Sequence, residues 1–120
     1  MNVKTYNYIN LDYLDMMSDG DESMKKVMLE MLLEELPQEV SKMTDLLETE
    51  DWENLASVSH KMKSTLAFVG NDEMTIANKQ IEQISKSSPS TDAISEHQSV
   101  LIKLSPMVLF ELQEEYSKLQ

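Results

Sequence analysis

Apolar residues recur every three or four positions along nearly the whole chain, which is the period of a helix with one buried face. "NLDYLDMM" puts Leu11 and Leu14 on one side, with Asn10 as a candidate N-cap. "SDGD" breaks that pattern. From about residue 22 to 47, Met28, Leu32, Leu36, Val40, Met43 and Leu47 form a continuous stripe. Pro37 falls inside it, removes one backbone donor and predicts a bend within one long helix. Thr49 is the candidate N-cap of a third helix over 50–69, and Gly70 occupies the position of a terminating glycine. Asn71 is placed to cap a fourth helix over 72–86, with Met74, Ala77, Ile81 and Ile84 inward. After the polar loop "SKSSPSTD", a last helix is expected over 91–119, with Ile94, Leu101, Leu104, Val108 and Leu112 inward and a kink at Pro106. His97 continues that stripe and reads as a core-edge residue. No strand alternation, repeat or long linker interrupts the series, so the expected fold is all-α, an antiparallel bundle.

Composition narrows the class. The chain has 120 residues, which suits a single domain over 1–120. It has no cysteine, which excludes disulfides and thiolate chemistry. No apolar run is long enough to span a membrane, and "MNVKTYNYIN" lacks the apolar stretch of a signal peptide. A cytoplasmic localisation is therefore expected, and Met1 with the compact length suggests a free-standing protein. The net charge is −12, and all ten basic residues are lysine. No basic stripe is available for phosphate backbones, so nucleic acid is not an expected partner. Residues 11–53 hold fourteen acids and three lysines, net −11; the other segments hold eight acids and seven lysines, net −1. The ten methionines read as core-spaced residues of an adaptable interior rather than as a binding groove.

The less acidic part contains "SVSHKMKSTLAFVG", with one of the two histidines. On a wheel of about 100° per residue, Leu55, Val58, Met62, Leu66 and Val69 cluster opposite His60. His60 therefore points away from the core. Ala56, Ser57, Ser64 and Ala67 surround it, and Lys63 lies one turn on in the same sector. Solvated helix faces usually carry Glu, Lys and Gln. Small residues around a histidine instead suggest that another macromolecule must approach it. Lys61 reads as a solvated cation, and Phe68 as either a flank residue packed on a neighbouring helix or part of a docking surface. No acid partner for His60 is legible, so a hydrolytic triad is not indicated. His97 has no ligand-like spacing to His60, so no metal site is indicated. A neutral imidazole is nucleophilic near neutral pH and can accept a phosphoryl group, with a lysine as point charge on its oxygens.

"LASVSHKMKSTLAFVG" resembles the core motif of histidine-containing phosphotransfer (HPt) domains. His60, Met62, Lys63, Thr65 and Gly70 match it in kind; Met62 stands where the family usually has leucine, and Ser64 where it usually has glycine. The order around it is also similar: a short helix, an acidic loop, a long helix with a mid-helix proline, a turn, the histidine helix and then "IANKQIEQI". The resemblance implies a four-helix bundle with a short N-terminal capping helix. It implies that His60 accepts a phosphoryl group from the aspartyl phosphate of a response-regulator receiver domain and passes it to another receiver. It implies no kinase or phosphatase activity and no cofactor of its own, with Mg²⁺ brought by the receiver. A hybrid sensor histidine kinase is a further implied partner, and a monomer is expected. Lys63 is the expected phosphate charge partner, and Ser57, Lys61, Ser64, Ala67 and Phe68 the expected docking face. Two alternatives remain open at this point. One is a bundle of the same fold that docks a receiver or histidine kinase without being phosphorylated. The other, a metal-dependent hydrolase, lacks ligands.

Overall fold

The computed structural model describes residues 6–119, so residues 1–5 and 120 of the expected unit lie outside the described residues. Five helices follow in order: α1 (Asp12–Ser18), α2 (Glu22–Glu48), α3 (Trp52–Val69), α4 (Asp72–Ser87) and α5 (Thr91–Ser117). Short turns between the long helices force neighbours antiparallel. α2 packs on α3, α3 on α4, α4 on α5, and α5 back on α2, closing a four-helix bundle; α1 lies across α2 and α3. The fold is the all-α bundle with a short N-terminal helix, and no strand occurs among the described residues.

Each start has a local cause. Asp21, Asn71 and Ser90 accept from the backbone N–H groups of Met24, Asn71's own third successor Met74, and Ala93, satisfying donors that a first turn leaves unpaired. Two expected caps move. Asp51, not Thr49, caps α3 by accepting from the Asn54 N–H, while Thr49 ends α2 and donates its hydroxyl to the carbonyls of Asp45 and Leu46. Asn10 accepts from the Asp12 N–H, but Leu11 occupies the cap position, so α1 begins at Asp12, one residue later than an Asn10 cap would start it. Both α2 and α5 run unbroken through Pro37 and Pro106. Gly70 ends α3 at φ 75°, and a Cβ there would overlap the Asn10 carbonyl, so glycine is needed twice over.

The core follows the apolar stripes. Leu14, Leu29, Leu36, Met43, Leu55, Met62, Leu66, Met74, Ile81, Ile94, Leu101 and Leu112 are fully buried, and each such side chain contributes about 1.5–3 kcal/mol. Val58, Ile84 and Met28 are only half-buried. In α5 the inward polar position is Gln98, which donates to the Val40 carbonyl and to Thr44 on α2; His97 is half-buried beside it. The methionines depart from expectation. Met16, Met17, Met24, Met31 and Met107 are exposed. The first four belong to α1 and the N-terminal part of α2, where no element among the described residues covers them.

A strap precedes α1. The buried Glu111 carboxylate of α5 accepts from the backbone N–H groups of Asn7, Tyr8 and Ile9 at 3.0, 2.7 and 3.1 Å. The Asn10 N–H donates to the Val69 carbonyl, and the Asn71 side chain donates to the Tyr8 carbonyl. This strap fixes α1 against the end of α3, where Tyr13 stacks on Phe68 with ring centroids 5.1 Å apart.

Candidate functional site

The site is built at the α3–α4 contact. Ser59 and Asn78 are both buried and bond reciprocally: the Ser59 hydroxyl donates to the Asn78 carbonyl at 2.9 Å and to its Oδ1 at 2.7 Å, and the Asn78 side-chain N–H donates to the Ser59 carbonyl at 2.9 Å. A shift between the helices would orphan buried polar atoms, each at a cost of about 1–3 kcal/mol. The pair therefore fixes the α3/α4 register. His60 follows Ser59, and Glu82 lies one turn beyond Asn78.

In that register His60 turns outward with 66 % of its side chain exposed, and its Nδ1 lies 2.9 Å from Glu82 Oε2. Lys63 Nζ is 2.8 Å from Glu82 Oε1, and Lys86 Nζ is 2.8 Å from Oε2. Glu82 itself is only 6 % exposed. Its burial opposes ionisation, but the hydrogen bonds from Lys63, Lys86 and His60 prevail and hold its pKa down to about 2. At neutral pH Glu82 is a carboxylate that can only accept. In the neutral imidazole the proton then sits on Nδ1, facing Glu82, and the lone pair on Nε2. The two lysines and one carboxylate carry a net charge of +1 beside the ring, inside a chain of net −12.

This arrangement corrects the expectation that His60 lacks an acid partner. Glu82 comes from another helix, so no spacing within α3 could disclose it. A faint signal exists: Asn78, Glu82 and Ser85 form a polar line beside the Ala77–Ile81 stripe, and all three are buried. Lys86, which sequence reasoning also passed over, enters through the same carboxylate.

The other expected residues divide. Ser57, Lys61, Ser64 and Ala67 are exposed. Ala56 is buried, contrary to its expected place in the clearing, and lines a depression together with Ser85 and Lys86 of α4. Phe68 is half-buried under Tyr13. Two depressions flank the histidine. On the α2 side, a groove is lined by Met28, Met31, Leu32, Glu35, Ser64, Thr65 and Phe68. Beneath it, Thr65 donates to the buried Glu39, whose pKa is raised mainly by burial. On the α4 side, Trp52, Ala56, Ser57, Ser85 and Lys86 line a pocket that includes His60. No group of three or more His, Cys, Asp or Glu able to hold a metal ion occurs among the described residues, and none of the described helices is long and apolar enough to cross a membrane.

The family model of the Hpt domain matches residues 27–120. No curated protein and no solved structure matches the chain.

Proposed function

The chain belongs to the Hpt domain family, whose role is histidine phosphotransfer in phosphorelays, and on that premise we propose that His60 is the residue that carries the phosphoryl group. The observation that supports this is the bond from Nδ1 to the ionised Glu82, which directs the Nε2 lone pair towards solvent. A receiver domain presents an aspartyl phosphate; Nε2 attacks phosphorus, the bond from phosphorus to the aspartate oxygen breaks, and the electron pair leaves with the carboxylate. The ring now bears phosphate on Nε2 and a proton on Nδ1, and Glu82 offsets its positive charge. Lys63, within one turn on the exposed face, offers its ammonium to the phosphoryl oxygens. Return of the group to a second receiver reverses each step. Such transfer rests on placement and charge rather than on proton shuttling, so the chain acts as a carrier and not as an independent kinase or phosphatase.

The docking face in this reading comprises Ser57, Lys61, Ser64, Ala67 and Phe68, extended by Met28 and Met31 along the α2 groove. Receiver domains and a hybrid sensor kinase are its partners, the chain is a cytoplasmic monomer, and Mg²⁺ belongs to the receiver. The test is incubation with a phosphorylated receiver and Mg²⁺. Acid-labile, base-stable label is expected on the parent and absent from His60→Gln. Label that survives in His60→Gln, or that maps to His97, would refute the assignment.

A further inference from the structure

The methionines of this chain fall into two groups. Met43, Met62 and Met74 are wholly buried in the core, whereas Met16, Met17, Met24 and Met31 are exposed on α1 and the first half of α2. Met24, Met28 and Met31 stand at helical spacing on one side of α2. Met31 is 52 % exposed. With the half-buried Met28 it walls a groove of about 200 Å³, to which α3 contributes Ser64, Thr65 and Phe68. Ser64 lies one turn from His60 on α3. Leucine would serve the helix equally well and would offer a similar apolar surface. What methionine adds is flexibility and an accessible sulfur. The chain has no cysteine, so the thioethers are its only sulfur atoms.

Resting on the reading of this groove as part of the receiver-docking face, we propose that Met31, with Met28 beside it, is a reversible oxidation site through which a peroxide weakens docking. The sulfur lone pair attacks one oxygen of hydrogen peroxide, the O–O bond breaks and a sulfur–oxygen bond forms. Sulfur is oxidised by two electrons; the other peroxide oxygen takes both protons and leaves as water. The sulfoxide is polar where the thioether was apolar. Its oxygen only accepts hydrogen bonds, and the groove offers few donors. Leu32 and Phe68 are apolar, and the Thr65 hydroxyl already donates to Glu39 at 3.0 Å, which leaves the hydroxyl of Ser64 at the exposed rim. A partner that closes over the groove then buries a poorly satisfied oxygen, a cost that docking on the thioether does not carry. Met43, Met62 and Met74 are closed to the oxidant, so the fold survives the reaction. A dithiol reductase reverses it: the sulfoxide returns to thioether, its oxygen leaves as water and the dithiol becomes a disulfide.

The test treats the full chain with hydrogen peroxide and locates sulfoxide by peptide mass spectrometry. Oxygen is expected on Met31 and the other exposed methionines, and not on Met43, Met62 or Met74. Transfer from a phosphorylated receiver should slow by about tenfold, and methionine sulfoxide reductase should restore it. Phosphorylation by phosphoramidate, a donor too small to need the groove, should proceed at the unoxidised rate. There Nε2 attacks phosphorus, the P–N bond breaks and ammonia leaves. Each variant is compared with its own untreated rate. Met28→Leu combined with Met31→Leu should make transfer insensitive to peroxide, whereas Met16→Leu, Met17→Leu and Met24→Leu together should leave the sensitivity in place. Three results would overturn the proposal: Met31 that stays unoxidised while Met16 and Met17 react, sulfoxide on Met31 with undiminished transfer, or an equal loss in the Met28→Leu, Met31→Leu variant. An untreated chain that phosphoramidate phosphorylates but that accepts nothing from any phosphorylated receiver would overturn the docking reading instead.

Discussion

Two carboxylates of this bundle are buried and satisfied by several donors, yet they serve opposite ends. Glu111 gathers the backbone N–H groups of Asn7, Tyr8 and Ile9 and so fixes a strap. Glu82 gathers the side chains of His60, Lys63 and Lys86, which are 66, 52 and 60 % exposed. Backbone donors cannot leave without unfolding the segment that carries them. Side-chain donors on a surface can exchange one acceptor for another. The same chemistry is therefore a clasp at one end of the bundle and a loaded site in its middle, and the identity of the donors makes the difference.

On a common free-energy scale, the largest effect is expected at the clasp. Glu111→Ala should lower unfolding stability in urea by roughly 3 kcal/mol, the upper range for orphaning one buried group, while phosphorylation per folded molecule stays unchanged. A parallel loss of transfer would show that the strap also shapes the site through α1.

Glu82→Gln should cost about 1.5 kcal/mol at pH 7, the low end for charged hydrogen bonds because its partners are exposed. The sign of its pH dependence follows from the depressed pKa. The contribution of Glu82 is fully present above about pH 4.5 and is lost as pH falls through about 2. Thermal melts of parent and variant should therefore differ at pH 7 and converge near pH 2. A difference that persists at pH 2 would assign the effect to shape rather than charge.

Ser64→Leu tests the approach to the ring. Ser64 is exposed and lines the α2-side groove, and leucine is the better helix former. The variant should be at least as stable as the parent and transfer at least about tenfold more slowly, or 1.4 kcal/mol in the barrier. Normal transfer would mean that no partner passes over this position.

The smallest effect is expected for Lys63→Ala: a phosphohistidine lifetime shortened about threefold, with the melting temperature nearly unchanged, since the pair is largely solvent-exposed. An unchanged lifetime would leave Lys63 as a partner of Glu82 only.

Periodicity alone determined the helices, because the apolar positions repeat at the helical period and a stripe needs no knowledge of its partner. It also turned His60 outward, since Leu55, Met62, Leu66 and Val69 occupy the opposite side of α3 and are buried. Two kinds of feature depended on the tertiary structure. The first concerns ends and margins: Asp51 displaces Thr49 as a cap, and the methionines of α1 and the start of α2 look core-spaced yet are exposed. The second is the site's electrostatics. Glu82 is 22 residues from His60 and meets it across the α3–α4 contact, where the Ser59–Asn78 bonds add to the core packing that sets how α3 lies on α4. A wheel gives the angle of a side chain about its own axis, but it carries no information on the rise of one helix against another, and that offset decides which carboxylate reaches which ring nitrogen.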